Sequence, residues 1–154
     1  MPETVIPDTS CLIGLQSGGV LDLLHRLYPH VVVPSAVIVE FGEPTPVWIS
    51  VAPVNNIQLV QALRSSLGPG ESEVIALSLE HVGAVAVLDD SRARRTGRDL
   101  GVRFTGTVGI LLRAKAEGVL LSVSSVLDTM ARSGFRLSPA LRREVLRLAS
   151  EDKD

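Results

Sequence analysis

Apolar residues along this chain follow two rhythms. Four short runs are apolar at most positions, residues 5–6, 30–34 (HVVVP), 48–54 (WISVAPV) and 83–88 (GAVAVL), and a fifth short strand is read over 102–106 (VRFTG). Near-continuous β-branched runs of this length predict short strands covered on both faces, with 48–54 strand or extended chain. Pro34 stops the second run. Between the runs the spacing becomes helical. Helical pieces are expected over 12–15 and 20–27, interrupted by Gly18-Gly19. Ser35 is expected to cap a short helix over 36–41 that ends at Gly42. Asn55-Asn56 opens an amphipathic helix with Ile57, Val60, Leu63 and Leu67 on one face, and Gly68-Pro69-Gly70 breaks it. Further helices are expected over 71–81, 91–100, 107–118, 123–132 and 139–149. Strands separated by helices imply right-handed crossovers and a mostly parallel sheet. The predicted fold is a three-layer α/β/α sandwich. One domain is expected, with a core over about 4–120 and a helical extension over 121–150.

Composition sharpens this reading in one respect. Aromatics make up only 3% of the 154 residues, so Val, Leu, Ile and Ala must fill the interior. A single cysteine, Cys11, excludes an internal disulfide and a Cys-based metal site. No apolar run approaches the ~18 residues of a membrane span, and no basic segment leads into an apolar stretch near residue 1. A soluble cytoplasmic protein is the expectation. The formal net charge of −2 argues against a bulk nucleic-acid coat protein, but not against a local basic patch.

The acids carry the candidate chemistry. Asp8 follows the first strand, in VIPDTS; Asp89 and Asp90 follow the strand over 83–88. In a parallel α/β sheet such strand-end acids share one edge, where ligands bind. Glu40 ends the helix over 36–41, and Glu71 and Glu73 enter the helix that follows Gly70. Carboxylates converging there repel one another unless a cation compensates, and an all-oxygen set suits Mg²⁺ or Mn²⁺. Each acid also has a local reading. Asp8, Asp89 and Asp90 are good helix N-caps, and Glu71 and Glu73 are favoured by the dipole of a helix N-terminus. Glu40, at a helix C-terminus, gains nothing from the dipole. Glu71 and Glu73 lie ~200° apart on a helix, so only one faces the site. Glu73, nearer the apolar run, is preferred; Asp89 against Asp90 stays open.

Arg92, Arg94, Arg95 and Arg98 crowd the segment after the Asp pair, with Arg103 beyond them. Each reads singly as a solvated helix face; as a group beside a metal site they suit a phosphate backbone. Arg113 and Lys115 are placed as an extension of that surface. No aromatic interleaving is present, so stacking in the manner of RNA-binding sheets is not indicated. Ser10 and Thr107 are small hydroxyls near strand ends, read as helix caps or as groups that orient a water. His25, His30 and His81 show no ligand spacing, and GPGESE lacks the Lys of a phosphate loop.

Taken together, VIPDTSCLIGL, VVVPSAVIVEF, LGPGESEVIALSLE and the segment from Ala86 to Leu120 resemble the PIN domain. They are most similar to a prokaryotic toxin-type branch with Gly-Glu-x-Glu, Asp-Asp-x-x-Ala-Arg and Gly-Thr-x-Gly motifs. The resemblance covers roughly residues 4–120 and is more specific in its later half. It implies a nuclease that gathers three or four acids around Mg²⁺ or Mn²⁺ and cuts single-stranded RNA. It also implies a homodimer or higher assembly, silenced by a small antitoxin protein. Asp8 matches the first acid of the family, Glu40 the second, Glu73 or Glu71 the third and Asp89 or Asp90 the fourth. The chain departs from the commoner toxin pattern in its Glu doublet and in Leu88-Asp89-Asp90. The expected function is therefore a metal-dependent endoribonuclease of a toxin–antitoxin pair, with Asp8, Glu40, Glu73 and Asp90 as metal ligands. The alternative is a PIN-like module that binds RNA or a partner with little or no cleavage.

Overall fold

The computed structural model describes residues 2–152. Five strands form one parallel sheet: β1 (Thr4–Pro7), β2 (His30–Val33), β3 (Ile49–Val51), β4 (Val85–Val87) and β5 (Phe104–Thr105). Their order is β3-β2-β1-β4-β5, and every neighbouring pair is parallel. Val5 pairs with both Val31 and Val85, and Pro7 ends its strand opposite Val87. Helices flank the sheet: α1 (Thr9–Ser17), α2 (Leu23–Leu27), α3 (Ser35–Phe41), α4 (Ile57–Leu63), α5 (Pro69–Glu80), α6 (Ser91–Asp99), α7 (Thr107–Ala116), α8 (Val123–Arg132) and α9 (Pro139–Leu148). The result is the three-layer α/β/α sandwich that the alternation of strands and helices predicts.

The core explains why the strand runs carry no polar alternation. Val5, Ile6, Val85, Ala86, Val87 and Leu88 are all buried, because the central strands have helices on both faces. The order also sets the site. Chain connections leave β1 towards β2 on one side, and β4 leads to β5 on the other. β1 and β4 are therefore the neighbours at which the winding reverses, and a crevice opens beyond their carboxyl ends. Asp8 and Asp89 stand there.

Three local expectations are corrected. The break after α4 falls earlier than expected, over residues 64–68, and Gly70 lies beyond it. That glycine lies one residue inside α5, which starts at Pro69, where a missing N–H costs nothing. Ser35 is the first residue of α3 rather than its cap; Pro34 holds the cap position and offers no side-chain bond. The N-terminus of α3 is instead served by Glu73, whose Oε1 accepts from the Ala36 N–H at 3.3 Å. Ile57 is 63% exposed and leaves the apolar face of α4 to Val60 and Leu63, with Leu67 beyond the helix end also buried. Among the described residues, no helix is long and apolar enough to cross a membrane.

Candidate active site

Asp8 is the N-cap of α1 and is buried at 2% exposure. Its Oδ1 accepts from the Cys11 N–H at 2.8 Å, and its Oδ2 accepts from the Asp89 N–H at 3.2 Å. One carboxylate thus ties the end of β1 to the first turn of α1 and to the end of β4. Burial pushes its pKa up to about 7, with the neighbouring Asp89 carboxylate adding to the rise. The two backbone N–H bonds pull the other way without cancelling it.

Asp89 is oriented from the opposite side. Its Oδ1 accepts from the Thr107 N–H at 2.8 Å and its Oδ2 from the Thr107 hydroxyl at 2.5 Å. Thr107 is fully buried at the start of α7, so this clamp is rigid. Asp90 turns to its own helix and caps α6 through the Ala93 N–H at 3.0 Å. It also lines a shallow pocket with Ser66, Glu71 and Arg92. The adjacent aspartates therefore do different things.

Two further acids reach the crevice from helices. Glu40, exposed at the end of α3, accepts from the Thr9 hydroxyl at 2.8 Å. Its carboxylate lies so close over Gly70 that a Cβ there would collide with Oε1. Glu71 lines a cavity of about 310 Å³ together with Asp8, Thr9, Ser10, Glu40 and Gly68. Burial raises the Glu71 pKa, and Asp90 and then Glu40 add to the rise. Glu73 points elsewhere, to the start of α3. The motif Gly70-Glu71-Ser72-Glu73 divides its work: clearance for Glu40, an acid for the cleft, and a cap for a neighbouring helix.

Thr9 and Gly70 are the participants that sequence reasoning missed. Thr9 was overshadowed by Ser10, which is exposed at the mouth of the same cavity. The available signal for Thr9 was its place directly after the strand-end acid.

The basic residues disperse. Arg94 and Arg98, one turn apart on α6, both lie over the Phe104 ring, at 5.4 Å and 5.7 Å from its centroid. Arg94 also lines a cavity next to Asp89. Arg92 faces the Glu71 side and donates to the Ser66 carbonyl at 3.2 Å, while Arg95 is exposed. Arg113 and Lys115 do not extend this surface. Arg113 pairs with Glu117 at 2.6 Å over the Tyr28 ring, and Lys115 pairs with Glu151 at 3.0 Å.

The cleft donors are carboxylate oxygens, which is the chemistry that a hard divalent cation takes. Asp8 gives the sharper test of fit: a buried carboxyl beside other acids, with a raised pKa and no cationic partner, is stabilised in its charged form by such an ion. The carboxylates ring the cleft rather than closing on one point, and among the described residues no three His, Cys, Asp or Glu side chains form a ready cluster.

No match was found among curated proteins. A family model described as a PIN domain matches residues 4–151, so that it runs past the acidic cleft and through α8 and α9. With that match over nearly its whole length, the chain belongs to the PIN-domain family.

Proposed function

We propose that this protein is a metal-dependent endoribonuclease that cuts single-stranded RNA, and that it is the toxin of a toxin–antitoxin pair. PIN domains are generally nucleases, and a nuclease of this family binds a nucleic-acid substrate. The observation that carries the finer reading is the meeting of Asp8 and Asp89 at the winding reversal, with Glu40 and Glu71 lining one cavity with Asp8. In this reading Asp8, Asp89, Glu40 and Glu71 hold Mg²⁺ or Mn²⁺, with Asp90 beside them and Glu73 in a structural role. When bound, the ion supplies positive charge against the phosphoryl oxygens and lowers the pKa of an attacking water.

The chain's own residues do the rest. Thr107 holds Asp89 in one orientation through two bonds. Thr9 holds Glu40. The two N–H donors on Asp8 fix its oxygens, so the cleft is organised before substrate arrives. Arg92 on the Glu71 side and Arg94 beside Asp89 supply charge for a phosphate backbone. The toxin role and a dimeric or higher assembly are supported by the likeness of the Gly-Glu-x-Glu and Asp-Asp-x-x-Ala-Arg segments to the toxin-type branch.

End-labelled single-stranded RNA incubated with Mg²⁺ or Mn²⁺ tests the reaction, beside EDTA and Asp8→Asn controls. Cutting that is lost in both controls supports it. An Asp8→Asn variant of full activity sinks the mechanism, and folded wild-type protein that binds RNA without cutting it leaves a binding module. The toxin role is tested separately, by growth arrest on expression and its relief by a small protein encoded next to this one.

A further inference from the structure

A second cavity, of about 440 Å³, opens on the other side of Asp89. Asp89, Arg94 and the start of α7 form one wall, with Phe135 and Arg136 from the loop between α8 and α9 opposite. That volume lies within the range of small-molecule pockets, roughly 300–1,000 Å³. We propose that this cavity is a nucleotide subsite of the cleft, in which one base of the single-stranded substrate stacks against Phe135 while Arg94 and Arg136 take its phosphate. The proposal rests on the ribonuclease reading and adds to it where the strand goes and what selects it.

Three observations carry it. First, the cavity is continuous with the acids through one residue. Asp89 lines it, while the Asp89 N–H is bonded to Asp8 on the cleft side. A strand whose phosphate lies at Asp8 therefore has this cavity beside it, across Asp89.

Second, its chemistry is that of a nucleotide. Val108, Phe135, Leu137 and Leu141 give apolar wall, and two guanidinium groups stand beside it. Neither Arg94 nor Arg136 forms an ion pair among the described residues. The Arg94 Nε is buried without a hydrogen-bond partner, and its guanidinium is braced on the Phe104 ring. A guanidinium held in place and left unpaired favours an anionic partner from outside.

Third, the cavity is built by absent side chains. A Cβ at Gly106 would lie 3.0 Å from the Arg94 Nη2 and 3.2 Å from the Asp89 Oδ1, and one at Gly109 would collide with the Thr105 hydroxyl. Phe135 is positioned from the other side. Its N–H donates to the Met130 carbonyl at 3.2 Å, and its ring packs near Gly14 of α1. The loop between α8 and α9 thereby brings to the cleft an aromatic that lies far from it in sequence.

The test uses the Asp8→Asn protein in Mg²⁺ buffer, so that RNA stays whole, with fluorescent oligouridylate and the same oligomer carrying an abasic site at each position in turn. One abasic position should weaken binding about tenfold, and that loss should vanish in the Phe135→Ala background. Arg136→Ala should weaken binding and lower the salt slope by about one. Arg136 is exposed, so its variant decides the matter if Phe135→Ala fails to fold. The proposal is overturned if no abasic position matters, or if Arg136→Ala leaves affinity and salt slope unchanged. RNA bound and cut with both variants neutral removes the subsite alone; RNA neither bound nor cut by wild-type protein removes the ribonuclease reading with it.

Discussion

The carboxylate of Glu40 lies across the backbone of Gly70, where a single added methyl would collide with its Oε1. The contact joins the C-terminal end of α3 to the first turn of α5 and aims Glu40 at the cleft. Replacing Gly70 with Ala must move that carboxylate. Glu40 is exposed and its side chain is flexible, so the fold can yield at low cost. Ala is also the better helix former by up to about 1 kcal/mol. Gly70→Ala is therefore expected to melt within a few degrees of wild type while losing roughly tenfold or more in metal-dependent cleavage. Thermal melts beside initial cleavage rates check this. Unchanged cleavage would mean that the position of Glu40 is immaterial.

Glu71 and Glu73 separate by consequence. Glu71→Gln removes a charge that burial and its acidic neighbours already disfavour, so stability at neutral pH should hold or rise. Its cleavage should fall by more than the roughly tenfold that follows loss of a group that only orients a ligand. Glu73→Ala should do the reverse. It takes the acceptor from the Ala36 N–H and costs about 1 kcal/mol, as lost helix caps do. Its cleavage rate should stay within about twofold of wild type, since a change that leaves the reacting groups in place leaves ΔG‡ within about 0.4 kcal/mol. Measuring both variants by melting and by kcat/KM decides between the two glutamates.

The central strands β1 and β4 were legible because they are buried on both faces and so write themselves as Val, Ile and Ala runs. The places of Asp8 and Asp89 at the carboxyl edge of the sheet follow from the same pattern, through the topology of parallel sheets. The choice between Glu71 and Glu73 was not legible, because it depends on how α5 is rotated against α3, which is a matter of tertiary packing. The place of Gly70 inside α5, rather than in the break before it, is hidden for a related reason. Gly-Pro-Gly looks like a break in local terms, whereas here Pro starts the helix and Gly makes room for a side chain 30 residues away in sequence. By type Ser35 reads as a cap, but the Ala36 N–H is served by Glu73. Local rules identified the elements; contacts between elements assigned the side chains.

Thr107 is expected to matter through Asp89. Thr107→Val keeps the shape and the backbone N–H bond but removes the hydroxyl that donates to the Asp89 Oδ2. The buried site should lose about 1–3 kcal/mol. Cleavage should fall roughly 10- to 100-fold with a weaker response to metal, because one oxygen of Asp89 is no longer held. Thr107→Ser restores the donor and should recover most of both. A Ser variant as poor as the Val variant would show that packing, not the hydrogen bond, is what Thr107 supplies.

Asp8 links stability, pH and metal in one measurement. Its carboxyl titrates near pH 7 in the folded protein, against the ordinary carboxylate range in the unfolded chain. Between those two values the folded state binds more protons than the unfolded state, so stability falls as pH rises from about 4 to 7. A shift of that size corresponds to about 4 kcal/mol, fully present as a penalty above pH 7. In EDTA, the melting temperature of the wild type should therefore drop across this window. Asp8→Asn, with no charge to desolvate, should show a flatter profile and melt above wild type at pH 8, less what it loses when an amide meets one of its two N–H donors. Mn²⁺ should lift the wild type at pH 8 and leave Asp8→Asn nearly unmoved, because a cation stabilises the charged carboxylate and has little to gain from an amide. Parallel profiles for the two proteins in EDTA would place the buried charge elsewhere, and an equal response to Mn²⁺ would remove Asp8 from the metal site.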